Sequence, residues 1–239
     1  MHMEALRLEL FQEMACYKKP FAFKVGETYP LPPYSTVKGM LHALLGATEY
    51  VPMRLSIQGS YETKFADYQR HYFFKATDVS EFPLVMDGLN LAVSWKHMTT
   101  MPIYVHLLLN VKLVIHVSAS GSVLDALTDG IRRGVPISLG RWEDLVRIDH
   151  VERVHLRPAA QDITSPYDMY LPLQADVEDM DYIRGIPFRL NWKYEIRHGV
   201  RQWQRIPVRY ISSGTVLYGG DVWQDEQYPV IFAPEMEEA

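Results

Sequence analysis

Cysteine is almost missing from this 239-residue chain: Cys16 stands alone. One thiol excludes an internal disulfide and fits a reducing compartment. The nine histidines form no HExxH and no Cys/His cluster, so no metal site is expected. There is no Walker loop, no GxGxxG and no GxSxG, and no cofactor is expected. No apolar run approaches the roughly 20 residues that a membrane-spanning helix needs. The best candidate, Ile103 to Val117, is broken by His106, Asn110, Lys112 and His116. The opening Met-His-Met-Glu-Ala-Leu-Arg lacks a basic region followed by an apolar core. No signal peptide is expected from it, and the cytoplasm is the expected location.

What is present suits a packed protein: 48% of residues are hydrophobic and 22% charged. The net charge of −5 conceals an asymmetry. Residues 221–239 hold six acids (Asp221, Asp225, Glu226, Glu235, Glu237 and Glu238) and no Lys or Arg. Without them, 24 basic residues face 23 acids, so the body is mildly basic. A local patch, rather than net charge, is what binds phosphates.

Along the chain, residues 3–11 alternate as a strand. Tyr29-Pro30-Leu31-Pro32-Pro33-Tyr34-Ser35-Thr36 is a stiff proline loop, and Ser35 or Thr36 is placed to cap a helix over about 36–47. Met53 to Thr63 reads as a strand with Arg54, Ser56, Gln58 and Ser60 on a polar face. Residues 64–100 read as an irregular, partly hairpin excursion. Met101 to Ser118 is β-rich, as two strands or one that bends near Leu109-Asn110. Ser122 is placed to cap a helix over Val123–Arg133, and a strand covers Val146–Leu156. The resulting βαββαβ order is the split βαβ of ferredoxin-like folds, an α+β architecture. Residues 157–187 are loop-rich. Period-two alternation around His198-Gly199 then marks a hairpin.

Two stretches suit nucleic acid. In the loop from Tyr17 to Lys38, cations (Lys18, Lys19, Lys24, Lys38) interleave with rings (Tyr17, Tyr29, Tyr34), a mix that grips phosphates and stacks bases. A helix start at Ser35 and Thr36 would add amides for a phosphate. The second stretch, 184–209, sets Arg184, Arg189, Lys193, Arg197, Arg201, Arg205 and Arg209 against Glu195 alone. It reads either as a solvated hairpin face or as a site for an anionic partner, RNA or an acidic protein surface. A metal-independent ribonuclease would need a His or Tyr base and a Lys. Lys96-His97, with Tyr34 or Tyr104, is the candidate set.

The first strand (Glu4 to Leu8), the proline segment through Met40, the run Pro102 to Leu108 with Val111-Lys112-Leu113, and the turn Ser138-Leu139-Gly140-Arg141-Trp142-Glu143-Asp144-Leu145 together resemble the Cas-five family of CRISPR-associated proteins, nearest its type I-B branch. The resemblance implies a ferredoxin-like (RRM-like) RAMP domain over residues 1–157, with a β-hairpin thumb at about 64–100. A β-rich C-terminal extension over 158–239 would follow, carrying the basic hairpin and the acidic tail. It also implies a non-catalytic Cascade subunit in antiviral defence that binds and caps the 5′ handle of the CRISPR RNA. Its partners would be the large subunit and the backbone (Cas-seven) subunits, with target DNA a further contact. The expected RNA contacts are Tyr17, Lys18, Lys19, Lys24, Tyr34, Ser35, Thr36, Lys38, Arg70, His71 and Arg141; Arg197, Arg201, Arg205 and Arg209 would meet a partner or RNA. One branch of the family cuts precursor RNA with Tyr, Lys and His, which keeps Tyr34, Lys96 and His97 as an alternative catalytic set. A docking subunit without RNA contact is the second alternative.

Overall fold

A computed structural model describes residues 3–20, 22, 25–74, 98–173, 183–220 and 222–233. The strands are β1 (Met3–Ala15), β2 (Val25–Gly26), β3 (Arg54–Ser60), β4 (Thr63–Phe74), β5 (Met98–Ser118), β6 (Arg147–Pro158), β7 (Ile163–Thr164), β8 (Asp168–Pro172), β9 (Ile186–Arg197), β10 (Val200–Ile211), β11 (Val216–Leu217), β12 (Trp223–Gln224) and β13 (Pro229–Val230). Two helices, α1 (Tyr34–Leu45) and α2 (Gly121–Arg132), connect β1 to β3 and β5 to β6. Among the described residues one large sheet runs β13-β12-β6-β1-β5-β3-β8-β10-β9, with β2 and β4 added on β5. The fold is α+β, and strands after residue 158 extend the same sheet at both ends.

β1 shows why the sheet has two covered faces. Its Leu6, Leu8 and Leu10 point into the main core with Val37, Leu41 and Leu44 of α1 and Leu124 and Leu127 of α2. The helices pack closely because Gly130 carries no side chain: a Cβ there would lie 2.7 Å from Leu44 O. Ala5, on the opposite face, packs with Val154, Leu156, Val230 and Phe232. The C-terminal segment therefore covers the side that the helices leave open.

This corrects the polar face expected of β3. Ser56 and Gln58 are fully buried beneath that segment. Gln58 Nε2 donates to Pro229 O at 2.8 Å, and Ser56 Oγ accepts from Ile231 N–H at 3.1 Å. Buried polar groups are tolerated when so paired. Asp225 also belongs to this layer and not to a solvated acidic tail; it is 3% exposed. Its carboxylate accepts from Arg7 Nη1 (2.9 Å), His116 Nε2 (2.9 Å) and the amides of Gln227 (2.7 Å) and Tyr228 (2.6 Å). Burial alone would push the Asp225 carboxyl up, but the bonds from His116, the two amides and Arg7 outweigh it. They hold the carboxyl well below the ordinary carboxylate range.

Both helix starts differ from expectation. Pro33, not Ser35 or Thr36, is the N-cap of α1, and its carbonyl accepts from Thr36 N–H (2.9 Å) and Val37 N–H (3.2 Å). The two hydroxyls sit inside the first turn, too late to cap. α2 starts after Ser120 rather than Ser122, without a side-chain cap bond. Gly46, left-handed at φ 64°, ends α1. The hairpin of β9 and β10 is as expected: His198 (φ 52°) and Gly199 (φ 74°) form a two-residue turn with both φ positive, the geometry that matches strand twist.

Asp225→Asn takes the buried carboxylate from His116 and Arg7, leaving Arg7 with Glu152 and Glu9, and is expected to cost about 3 kcal/mol in urea unfolding. Because the folded-state carboxyl is depressed, its stabilisation is complete above about pH 4 and is lost as pH falls below it. The wild-type acid limb should flatten in the variant; an unchanged limb would place the clamp elsewhere.

Candidate nucleic-acid interface

An exposed assembly of cations and rings lies on the ribbon that β4 and β5 form. β4 pairs with β5 from Thr63 opposite Leu109 to Phe74 opposite Met98. β3 pairs with the other part of β5, from Arg54–Ser118 to Ser60–Lys112. The changeover occurs at Asn110, with φ 50°, whose Nδ2 donates to Glu62 Oε2 at 2.6 Å. The bend expected near Leu109-Asn110 is this kink in one long strand. β2 runs parallel to β5 beside Tyr104 and Val105.

Strand alternation divides the ribbon. One face sets Ile103, Val105 and Leu107 against Cys16, which fixes the ribbon to the body. Burial raises the Cys16 thiol, so it stays a packed hydrophobe. The other face carries Lys64, Tyr68, Arg70 and Tyr72 on β4, with Tyr104 and His106 on β5. Tyr68 and Tyr104 are opposite each other, half exposed at 54% and 51%, with ring centroids 5.5 Å apart at 63°. The hydroxyls of Tyr68 and Tyr72 hold the Arg70 guanidinium further toward its charged form. His71 points to the opposite face and contacts Gln69 Oε1 at 3.2 Å, so Arg70 and His71 do not act together. The sequence reading leaves out Lys64 and His106. Their signal is the spacing of Lys64, Tyr68, Arg70 and Tyr72 at even intervals along one strand.

The structure redistributes the other expected contacts. Tyr17 is 1% exposed and its hydroxyl donates to Gln12 Oε1 at 2.6 Å. Tyr34 is fully buried against Tyr170 and Trp192, and burial pushes its hydroxyl far up. Neither ring can stack on a base, and Tyr34 cannot act as a surface proton acceptor. Both are apolar bodies drawn into the core from a ring-rich loop. Lys18 is exposed, whereas Lys19 pairs with Glu27 at 3.0 Å. Lys24, Lys96 and His97 lie outside the described residues.

Lys38 turns inward rather than toward a phosphate. It is 4% exposed, its Nζ is 2.5 Å from Tyr50 Oη and lies 3.4 Å from the centre of the Trp192 ring. A cation over an indole face is electrostatically favourable. Ser35, half-buried, and Lys38 line a groove of about 810 Å³ between α1 and the β9–β10 hairpin, with Tyr50, Trp192, Tyr194, Arg197, Trp203 and Gln204 among its walls. Thr36 spends its amide on Pro33 O.

Arg141 is part of a structural lock. Its amide (2.9 Å) and Nη2 (2.7 Å) donate to Asp144, whose carboxylate also accepts from Cys16 N–H at 2.9 Å. Glu143 lies 3.0 Å from Arg141 Nη1. Gly140, at φ 114°, passes so close that a Cβ would meet the Asp144 carboxylate at 2.7 Å. Of the hairpin arginines, Arg197 bonds Glu195, Arg201 stacks on Tyr194 and Arg205 bonds Asn191. Arg209 donates to Ile183 O and is half-buried, away from the others.

A family described as CRISPR-associated protein (Cas_Cas5) matches residues 5–216, most of the chain. The chain belongs to the Cas-five family. Among solved structures, this Cas-five protein is similar to a chain of a "CRISPR RNA-guided surveillance complex", at 15% identity and a TM-score of 0.54, over 89% of this chain and 91% of that one. It is also similar to a CRISPR protein from Archaeoglobus fulgidus, at 12% identity and a TM-score of 0.50, over 95% and 98%. These likenesses bear on the fold. No curated protein matches. Among the described residues no grouping of His, Cys, Asp and Glu could hold a metal ion, and no helix is long and apolar enough to cross a membrane.

If the Gly-Arg turn is a lock, Asp144→Ala should lower stability by about 2–4 kcal/mol, because three donors lose a buried acceptor. Arg141→Lys, lacking the fork, should lower the thermal midpoint by less than Arg141→Ala. Equal midpoints for all three variants and wild type would show that the turn holds nothing.

Proposed function

We propose that this Cas-five protein is a non-catalytic subunit of a CRISPR effector ribonucleoprotein. In this reading it binds the 5′ handle of the CRISPR RNA with the outer face of the β4–β5 ribbon. The observation that carries the proposal is that face: Lys64, Arg70 and His106 alternate with Tyr68, Tyr72 and Tyr104, and the opposite face is anchored to the body. Cations track a backbone and rings accept splayed bases, which is how single-stranded RNA is held. Lys18, exposed at the base of the nearby loop, adds a further phosphate contact.

Family membership and the likeness to a surveillance-complex chain support the assembly context. Within it we favour a type I-B Cascade, with the large subunit and Cas-seven backbone as neighbours and the cytoplasm as location. The ribbon would be the thumb. The order β6-β1-β5-β3, with helix crossovers from β1 to β3 and from β5 to β6, supports a ferredoxin-like core.

Binding of a handle RNA should weaken with salt, following the counterion-release slope for single strands. Tyr68→Ala with Tyr104→Ala should cost about 1–3 kcal/mol per stacked base. Lys64→Ala with Arg70→Ala should weaken binding and reduce the log–log salt slope by roughly 0.7 per lost phosphate contact. Unchanged affinity and slope in both double variants would remove the ribbon from the RNA site. Precursor RNA incubated in EDTA should remain intact; cleavage there would favour the endoribonuclease alternative.

A further inference from the structure

The outer part of the β9–β10 hairpin is built for something other than the core. β8 pairs with β10 at Val208–Ile211, and, among the described residues, 193–204 pair with each other alone. β9 is the end strand of the sheet. An apolar stripe starts at Trp192, buried over Lys38, and runs outward through Tyr194 and its cross-strand partner Trp203 to Ile196. Exposure rises along it: Trp203 is 37% exposed, Tyr194 43% and Ile196 70%; Val200, paired with Arg197 on the other face, is 64% exposed near the turn. Cations are in excess, with Lys193, Arg197, Arg201 and Arg205 against Glu195.

Charge on an edge strand by itself would be protection against aggregation. That does not account for uncovered Ile196, Val200 and Trp203, since apolar groups on an exposed edge add to the hazard. Nor does it account for the groove beneath. Trp192 Nε1–H, on a residue 1% exposed, and Gln204 Oε1 are buried without a hydrogen-bond partner, and both residues line the groove. Such atoms cost free energy unless a partner reaches them. One orphan donor and one orphan acceptor are the complement of a peptide group.

We propose that the β9–β10 hairpin and the groove between it and α1 dock an extended, acidic segment of another protein. An apolar side chain of that segment would rest on the Tyr194–Trp203–Ile196 stripe. Strand addition along the free edge of β9 supplies main-chain hydrogen bonds, and the arginines select acidic flanks. RNA fits less well, because Ile196 at the outer end of the stripe and Val200 near the turn offer no stacking surface. The surface is separate from the β4–β5 ribbon and does not depend on its reading.

The test uses the full chain and three fluorescein-labelled probes: a short peptide alternating glutamate with leucine and phenylalanine, the same peptide with lysine for glutamate, and an oligouridylate. By anisotropy at low salt the acidic peptide should bind and its lysine counterpart should not. Ile196→Ser, an exposed site on the stripe, should weaken it roughly fivefold. Arg197→Glu with Arg201→Glu should weaken it roughly tenfold or more. Hydrogen exchange should show new protection of β9 amides. The proposal falls if the acidic peptide fails to bind, binds no better than the lysine peptide, or binds without protecting β9. Oligouridylate binding that disappears in the Arg→Glu variant, with no acidic-peptide binding, would assign the hairpin to RNA instead.

Discussion

Strand β5 is the constraint on which the rest of the structure depends. Over 21 residues it pairs with β1 and β3 at one end and with β4 and β2 at the other. A single positive-φ residue, Asn110, lets the same strand serve the body and the ribbon. The ribbon's direction is thus set by the core through continuous backbone rather than by a linker. Its inner face, closed on Cys16, removes the freedom that a two-stranded ribbon in water would otherwise have. What remains for a ligand is one pre-oriented face, and pre-orientation lowers the entropy lost on binding.

The same strand explains which parts of the fold were legible in the sequence. Local signals survived: the His198-Gly199 turn, the bend at Asn110 and the alternation of β9 and β10. Each depends on a few neighbouring residues. Signals that require a distant partner did not. Asp225 looks like tail charge until Arg7 and His116 are set around it, more than 100 residues away in the chain. Ser56 and Gln58 look like a wet face until residues 229–231 cover them. Period-two reading gives the face of a strand but not what lies over that face.

The candidate site shows a similar division. A tract of Lys and Tyr was read correctly as unusual, but composition does not give direction. Tyr17 and Tyr34 carry enough apolar area that burial wins once the body can receive them, and each takes its hydroxyl inside. Lys38 follows because Trp192 and Tyr50 offer a cation a favourable seat. Arg141 is drawn to Asp144, which also organises Cys16. On the outer face of the ribbon no layer of described residues covers Tyr68 or Tyr104, and the same residue types stand half exposed.

That contrast is what gives the exposed rings their meaning. The body of this chain buries rings such as Tyr17, Tyr34, Tyr170 and Trp192, and it satisfies buried carboxylates with several donors each, as at Asp144 and Asp225. Rings stand outside in a few turns and loops, as Trp142, Tyr50 and Tyr218 do, and where a strand extends beyond the layers that could cover it. Two such extensions exist among the described residues, the β4–β5 ribbon and the outer β9–β10 hairpin, and their chemistry differs. The first sets its cations among tyrosines alone, a surface suited to bases and phosphates. The second mixes cations with Ile196, Val200 and two orphaned buried polar atoms, a surface suited to a polypeptide. The two ribbons extend from one continuous sheet, so the same strand pairing that builds the core fixes where each of these chemically different surfaces lies.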